Sequence, residues 1–456
     1  MATTTAPQLD LKEIASNVVA LAMKQGATAA ECVMRDGTEF STVVRLGEVE
    51  TLKESGAKAL GVRVFFGHRA ASTLTSDLSQ QGIDQMVSSA CELAKLTSED
   101  PYSGIPDAAQ LGQISTDLDL YYDDVYSLST ADRIDYARRA EKAALSADPR
   151  IKNSEGGSFD AAIGRKVLAN SHGFIGEYRR SYCSVSAVPI AQDEKGNMQR
   201  DYWYSVSRTM TKLDSAEEVG RVAAERTLRR LGARKVKTQR VPLIFDRQTA
   251  RALLDHFSEA VNGDAIYRHA SFLAGKLGHQ VAGKNITVID DGTMVGGYGS
   301  TPFDGEGVPT RRTTVIERGE LKSYLLNSYT ARKLNLQTTG NASRALAGTP
   351  GISNGNFYLE PGTRTPQQII GDVKQGLYVT EFLGFGVNLV TGDFSRGASG
   401  LWIENGELTY PVEEITVAGN LKDMLNNISE IGIDLEWRSS VACPTIRIDG
   451  MTIAGE

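Results

Sequence analysis

The residues of this chain that could do chemistry are concentrated in the stretch LLDHFSEAVNGDAIYRHASF, residues 253–272. It holds two of the chain's five histidines, His256 and His269, and the acids Glu259 and Asp264. Histidine nitrogens and carboxylate oxygens on successive turns of a helix are the zinc ligands of many peptidases. The stretch therefore raises the hypothesis of a metal-dependent hydrolase.

The spacing of these residues does not fit a helical zinc site. Such a site places two histidines one turn apart, with a glutamate beside the first to activate water. His256 and Glu259 share a helix face, but Phe257 follows His256, and His269 lies beyond a turn at residues 262–264. An amphipathic helix with polar residues at its exposed end explains the same pattern without a metal.

Patterns for nucleophilic or phosphate chemistry are absent or weak. The chain has neither a GxSxG motif nor a P-loop. Cys443 precedes Pro444 in an apolar, strand-like segment, which favours a small core residue over a nucleophile. The four cysteines form no CxxC pair, so we predict no disulfide framework and a reducing, cytoplasmic location.

Three polar motifs remain: TPFDGEG at residues 301–307, TTGNASRA at 338–345 and TGDFSRGASG at 391–400. They fit tight turns in a β domain. They also fit the walls of a groove in which an extended peptide pairs with backbone groups. The side chains that we predict to contact such a peptide are Asp304, Glu306, Arg311, Asp393, Ser395 and Arg396.

A run of cations lies at residues 226–240. We interpret it as the solvated end of a helix, where positive charge suits the helix dipole. Contact with nucleic acid is the alternative, although no aromatic residues interleave the charges. The net charge of −7 also argues against nucleic acid as the main partner.

The elements that must position these motifs form an α+β chain of 456 residues. We expect an N-terminal α/β domain, residues 1–237, with antiparallel sheets flanked by helices. Its meander is expected from residue 31 to 75, with turns at Gly47, Gly56 and Gly67, and further turns at residues 153–158 and 171–173. Helices are expected near residues 11–25, 83–94, 129–147 and 215–231. The second is expected to place Leu93 on its apolar face with Ile83, Met86, Val87, Ala90 and Ala94.

Residues 238–456 are predicted to form a mainly β domain. Asn405-Gly406 between two apolar runs predicts a type I′ hairpin. No run of about 18 apolar residues occurs, so no membrane span is expected. Charged residues from Asp10 onward interrupt the N-terminus, so we predict no signal peptide.

Several long motifs resemble the TldD/PmbA family, and its PmbA branch, also called TldE, more than its TldD branch. They include NSEGGSF, ANSHGF, STPFDGEGVPT, TGNASR, TGDFSRGASGLWIENGELTYPVEEITVAGNLKDM and the final MTIAGE. The resemblance covers nearly the whole chain. It implies a cytoplasmic TldD–TldE pair that acts as a zinc metallopeptidase on unstructured peptides. PmbA proteins also carry an older description as modulators of DNA gyrase.

The resemblance also implies which residues of this chain stand at the positions of the zinc helix of the TldD branch. The TldD branch carries HExxxH followed by Glu-Gly-Asp. With Gly263-Asp264 in register, the first histidine falls on Leu254, the base on Asp255, the second histidine on Glu259 and the last acid on Asn262. A late cysteine ligand of the TldD branch does not carry over to Cys443, which precedes proline.

Three hypotheses follow. In the first, this chain has no catalytic residue, metal or cofactor of its own; it pairs with a zinc-bearing TldD-like subunit, helps to admit unfolded peptide, and can form a homodimer when alone. In the second, it is an autonomous metallopeptidase with ligands from His256, Glu259, Asp264, His269 or Cys443. In the third, it is a regulator that binds gyrase or nucleic acid through residues 226–240.

Overall fold

The computed structural model describes residues 10–455 and confirms the α+β class. The helices of this part of the chain are α1 (Leu11–Lys24), α2 (Gln80–Leu96), α3 (Thr130–Ser146), α4 (Ala216–Leu228), α5 (Arg247–Ala260), α6 (Gly263–Tyr267), α7 (Ser328–Leu334), α8 (Pro366–Gly371) and α9 (Leu421–Asn426).

The strands before residue 237 form one antiparallel sheet in the order β3-β2-β1-β4-β5-β6, with β7 also beside β5. They are β1 (Ala29–Arg45), β2 (Glu48–Phe66), β3 (Arg69–Thr75), β4 (Ile151–Asn170), β5 (Ile175–Gln192), β6 (Met198–Arg200) and β7 (Trp203–Ser207). Two apolar cores lie on this sheet: one under α1 and α2, the other under α3 and α4.

The strands after residue 237 form three further sheets. They are β8 (Gln239–Phe245), β9 (Val288–Asp291), β10 (Arg312–Glu317), β11 (Glu320–Leu321), β12 (Ala342–Ser343), β13 (Gly351–Ile352), β14 (Asn356–Leu359), β15 (Gln375–Leu383), β16 (Asp393–Glu404), β17 (Glu407–Asn420), β18 (Ile428–Ile431), β19 (Val441–Ala442) and β20 (Ile446–Ala454). The sheet orders are β17-β16-β15-β8-β20-β18, β11-β10-β9-β14-β19 and β12-β13. The apolar face of α5 packs into the large core that these sheets share.

Local sequence signals placed several boundaries correctly. Ser129 caps α3 and exchanges hydrogen bonds with Asp132 in a capping box. Asn405 and Gly406 both have positive φ, 51° and 83°, in the hairpin between β16 and β17, as a type I′ turn requires.

Other expected turns and faces were wrong. Gly56 lies inside β2, which pairs with β1 without a break there, and residues 153–158 lie inside β4, where a bulge occurs between Ser154 and Gly156. A bulge accommodates a glycine-rich stretch without ending a strand. Leu93, expected on the apolar face of α2, is 47% exposed, because Ala90 and Ala94 provide the contact surface there.

The basic run is solvated only in part. Arg226 is buried and Arg229 and Arg230 are half-buried, whereas the cations beyond the end of α4 are exposed: Arg234, Lys235, Lys237 and Arg240. Arg226 is buried against Asp201, Arg230 lies 2.6 Å from Glu381, and the guanidinium of Arg234 lies 3.5 Å from the ring centroid of Tyr410. Most of these contacts are with residues after position 237. The run therefore connects the N-terminal sheet region to the six-stranded sheet; we retain 1–237 and 238–456 as the proposed domain division.

The four cysteines are all buried and unbridged: Cys32, Cys91, Cys183 and Cys443. Burial raises the pKa of each thiol above its ordinary value, to about 12 for Cys32 and Cys183. Among residues 10–455, no helix has the length and apolar character needed to cross a membrane.

Candidate functional site

The helix that carries the predicted degenerate metal positions, α5, is an amphipathic helix packed on the core. It begins after Asp246, whose side chain accepts a hydrogen bond from the Thr249 amide. Leu254 is 6% exposed and lines an apolar cavity of about 40 Å³ together with Cys443. An apolar side chain in an apolar cavity offers nothing to a metal, so the position of the first histidine is filled by core packing.

The other positions on this helix are also engaged. Asp255 lies 3.3 Å from Arg251, and burial raises its pKa. Glu259 lies 3.5 Å from the Nδ1 atom of His256, and Asn262 caps α6 by accepting a hydrogen bond from the Asp264 amide. These residues do not fit a zinc ion.

The alternative ligands do not converge either. Asp264 lies 3.2 Å from Arg268, and Cys443 is held in the core, where burial raises its pKa. His269, with a φ of 54°, follows α6. Throughout residues 10–455, no three His, Cys, Asp or Glu side chains are grouped in a way that could hold a metal ion.

The largest described cavity lies between the N-terminal sheet and the loops of the C-terminal half. It consists of two adjoining volumes of about 870 Å³ and about 300 Å³, which share Arg35, Lys166, Tyr178, Arg180, Tyr298 and Ser440. We call it the central cleft. Its floor is one face of β1, β2, β4 and β5, and its roof includes residues 298–311, 340–346 and 438–440.

The register of the sheet gives the floor its chemistry. Arg35 is directly opposite Lys166, which is directly opposite Tyr178. Arg180, two residues after Tyr178, lies on the same face, since side chains in a strand alternate. Its Nη2 atom donates to the Tyr178 hydroxyl at 2.9 Å. Sequence reasoning did not select these four residues, because only strand pairing brings them together.

The roof carries the buried carboxylate of Asp304 from the TPFDGEG motif. Its oxygens accept hydrogen bonds from the amides of Glu306 at 2.8 Å, Val308 at 3.0 Å and Ala342 at 3.0 Å. Behind it, Glu306 accepts from the Ser328 amide at 2.9 Å. Burial raises the pKa of both carboxyls, and for Glu306 the neighbouring Asp304 charge raises it further.

Two more buried acids support the roof. Glu31 on β1 forms ion pairs with Arg63 and with Arg344 in the loop after β12, and the side chains of Glu31 and Arg344 are each 1% exposed. Asp290 accepts hydrogen bonds from Asn341 and the Gly355 amide, both at 2.7 Å. Burial raises the pKa of Asp290 to about 7. The loop at 340–346 is therefore fixed by charged contacts with both halves.

A second groove, of about 560 Å³, runs along the outer edge of β3. Residues 70–72 of β3 face residues 348–352, and Asn262 and Tyr329 also line it. Within the described chain, β3 pairs only with β2 and β13 pairs only with β12. Both strands thus have one edge whose backbone groups can pair with an extended segment.

The predicted peptide-contacting residues fall into two groups. Asp304 and Arg311 line the central cleft, with Glu306 directly behind. Asp393, Ser395 and Arg396 lie apart, at the start of β16: Asp393 accepts from Thr391 and Asn420, the Ser395 amide donates to Gly386, and Arg396 lies over the ring of Phe382. The contact of either group with a peptide remains a prediction.

Comparison with known proteins identifies the scaffold. Residues 30–94, 123–231 and 238–455 match, in order, domain 1, the central domain and the C-terminal domain of the PmbA/TldA metallopeptidases. The chain belongs to the PmbA/TldD metallopeptidase family. It is 41% identical to the protein named Metalloprotease PmbA of Escherichia coli O157:H7, over 98% of this chain and 96% of that protein.

Other relatives place this PmbA/TldD-family chain in the PmbA branch. It is 38% identical to the Metalloprotease PmbA homolog of Haemophilus influenzae, with 99% and 97% of the two chains covered. A Bacteroides thetaiotaomicron structure described as a candidate modulator of DNA gyrase superposes with a TM-score of 0.91 at 28% identity, covering 98% and 99%. TldE of Thermococcus kodakarensis shares the fold, with a TM-score of 0.86 at 22% identity, covering 97% and 100%.

Proposed function

We propose that this chain is the non-catalytic, TldE-type subunit of a cytoplasmic peptidase pair that degrades unstructured peptides. A TldD-like partner would supply the zinc ion and the bond cleavage. The observation that carries the proposal is Leu254, an apolar residue within an apolar cavity where the TldD branch is expected to have its first histidine. The PmbA relatives are named metalloproteases, and these names support a role in a proteolytic system.

In this proposal, the chain contributes binding and orientation. An extended peptide has unpaired amide and carbonyl groups, and the open edges of β3 and β13 offer complementary ones along the second groove. The central cleft supplies charged side chains and rigid walls. Holding a flexible peptide in one orientation lowers the entropic part of the barrier to its cleavage.

A folded substrate could not use these sites. Its backbone groups are already paired in its own helices and sheets, so an edge strand gains nothing from it. The proposal therefore predicts selectivity for unstructured chains. Without its partner, this subunit could occupy the same surface with a second copy, because the two branches share a fold.

The test is to purify the chain, its TldD-like partner and the reconstituted pair, and to measure zinc by elemental analysis and cleavage of an unfolded peptide. We expect activity in the pair only, with zinc in proportion to the partner. A matched folded protein of similar composition should resist cleavage. Stoichiometric zinc and peptidase activity in this chain alone would overturn the proposal in favour of an autonomous enzyme.

A further inference from the structure

The floor of the central cleft brings together three cations without a matching anion. Arg35 and Lys166 are direct cross-strand neighbours, and Arg180 lies on the next row of the same face. Like charges directly opposite one another destabilise a sheet. Among residues 10–455, none of the three is in ion-pair contact with a carboxylate. The fold thus retains an arrangement that costs stability.

The contacts of these cations leave donors available to a ligand. The ammonium of Lys166 lies 5.9 Å from the ring centroid of Tyr178, and the guanidinium carbon of Arg180 lies 5.1 Å from it. Arg35 donates from Nη2 to the Arg344 carbonyl at 2.5 Å. The Tyr178 hydroxyl accepts from Arg180, so its own proton can be donated to a ligand. Burial opposes ionisation of this hydroxyl, but the charges of Lys166 and Arg180 outweigh burial and lower its pKa.

Other cations near the cleft are more fully engaged by backbone carbonyls or carboxylates of the protein than the three cations of the cluster. Arg208 donates to five backbone carbonyls, those of Leu120, Ser181, Gly296, Gly297 and Tyr298. Arg344 is paired with Glu31, and Arg438 with Glu436. These side chains hold the walls together. Arg35, Lys166 and Arg180 instead present charge to the open volume.

Asp304, the carboxylate that attracts Lys166, does not fully neutralise the charge of this cluster. Asp304 contributes an electrostatic attraction to Lys166, but its oxygens are occupied by three backbone amides. Burial lowers the pKa of Lys166, the Tyr178 hydroxyl opposes that shift, and Arg180 and Arg35 lower the pKa further. A bound anion would remove that penalty.

We infer that Arg35, Lys166, Tyr178 and Arg180 form a binding site for a carboxylate group of an extended peptide. The carboxylate is planar and accepts several charge-assisted hydrogen bonds, which arginine donates in pairs and lysine singly. It can be the C-terminal carboxylate or an acidic side chain. This inference rests on the proposed function, because it names the peptide group that the non-catalytic subunit recognises.

The test uses a fluorescent, unstructured peptide without acidic side chains, prepared as a free acid, as a C-terminal amide, and as an amide with one glutamate. Binding to the purified chain is measured by fluorescence anisotropy. We expect the free acid to bind at least about tenfold more tightly than the amide, as loss of one charge-assisted contact implies. Recovery of affinity in the glutamate peptide would show that a side chain also serves.

Arg179, the neighbour of Arg180 on the opposite face of the sheet, provides a matched control. Arg180→Gln and Lys166→Met should abolish the preference for the carboxylate. Arg179→Gln should retain it, because Arg179 lies over the ring of Tyr121 and does not line the central cleft. Lys166→Met should also unfold at a higher urea concentration than the unmodified chain, because it removes one of several like charges. Loss of a structural contact would have the opposite effect.

Three other results of these binding measurements would contradict the inference of a carboxylate site. Equal binding of the three peptides, binding of none of them, or equal losses in Arg179→Gln and Arg180→Gln would overturn the inference. Cleavage of the amide by the reconstituted pair is measured separately. The proposed function stands if the pair cleaves that peptide, whether or not the carboxylate preference exists.

Discussion

Glu31 on β1 and Arg344 in the loop after β12 form an ion pair in which both side chains are 1% exposed. Arg63 contacts the same carboxylate at 3.4 Å. One anion of the N-terminal sheet thus balances two buried guanidinium groups, one of them from the far half of the chain. Removing one member of a buried pair leaves an uncompensated charge.

Glu31→Gln should therefore lower the free energy of unfolding by about 3–5 kcal/mol. The measurement is urea unfolding followed by circular dichroism. Asp36→Asn is the control, because Asp36 pairs with Lys58 at the surface, where the two side chains are 36% and 38% exposed. Asp36→Asn should lower the free energy of unfolding by less than about 1 kcal/mol. Similar losses in the two variants would contradict the assigned role of Glu31.

Glu306 gives the fold a dependence on pH. Burial, followed by the charge of Asp304, raises its pKa to about 7 from an ordinary value of 4.5. Between those values, the folded chain binds more protons at this site than the unfolded chain, so this contribution to stability falls as pH rises through the window. Glu306→Gln keeps an oxygen for the Ser328 amide and removes the titrating group.

We expect the stability of Glu306→Gln relative to the unmodified chain to rise as pH increases from 5 to 8. The difference in the free energy of unfolding should grow by up to roughly 1.4 kcal/mol per pH unit. Paired urea titrations at both pH values measure it. Glu48→Gln, at the exposed start of β2, provides a reference with no such trend. A constant difference across this range would show that Glu306 does not titrate there.

Substitutions at Leu254 test whether this position serves core packing or catalysis. Leu254→Ala should destabilise the fold by about 2–5 kcal/mol through the enlarged cavity, whereas Leu254→Met should cost under about 1.5 kcal/mol. Neither change should reduce peptide cleavage by the fraction of pairs that remain folded. His256→Ala should likewise leave cleavage intact, and a large loss in that variant with unchanged folding would place a catalytic group on α5.

Gly61 tests how the roof rests on the sheet. A Cβ atom there would lie 1.7 Å from the Leu346 carbonyl oxygen, whereas one on Gly164 would meet nothing within 4 Å. Gly61→Ala must push the 340–346 loop away and should cost about 1–3 kcal/mol. Gly164→Ala should instead gain about 0.5–1 kcal/mol, since alanine suits a strand better. Comparable melting temperatures would refute the close contact.

Local signals predicted the elements and long-range pairing produced the cleft. The capping box at Ser129 and the Asn405-Gly406 hairpin depend on adjacent residues, so a sequence is enough to recognise them. Gly56 failed as a turn signal because pairing along 17- and 19-residue strands outweighs one permissive residue. The Arg35 and Lys166 pair is separated by 131 residues along the chain and brought together by register alone.

The burial of Cys32, Cys91, Cys183 and Cys443 has a practical consequence. A thiol that is shielded and kept protonated reacts slowly with maleimides, so a newly introduced cysteine is the preferred site for a probe. Ser55 on the floor of the central cleft and Ser440 on its roof are suitable positions for a pair of dyes. Energy transfer between them would measure whether the width of the cleft changes as peptide enters, in a chain whose own cysteines need no replacement.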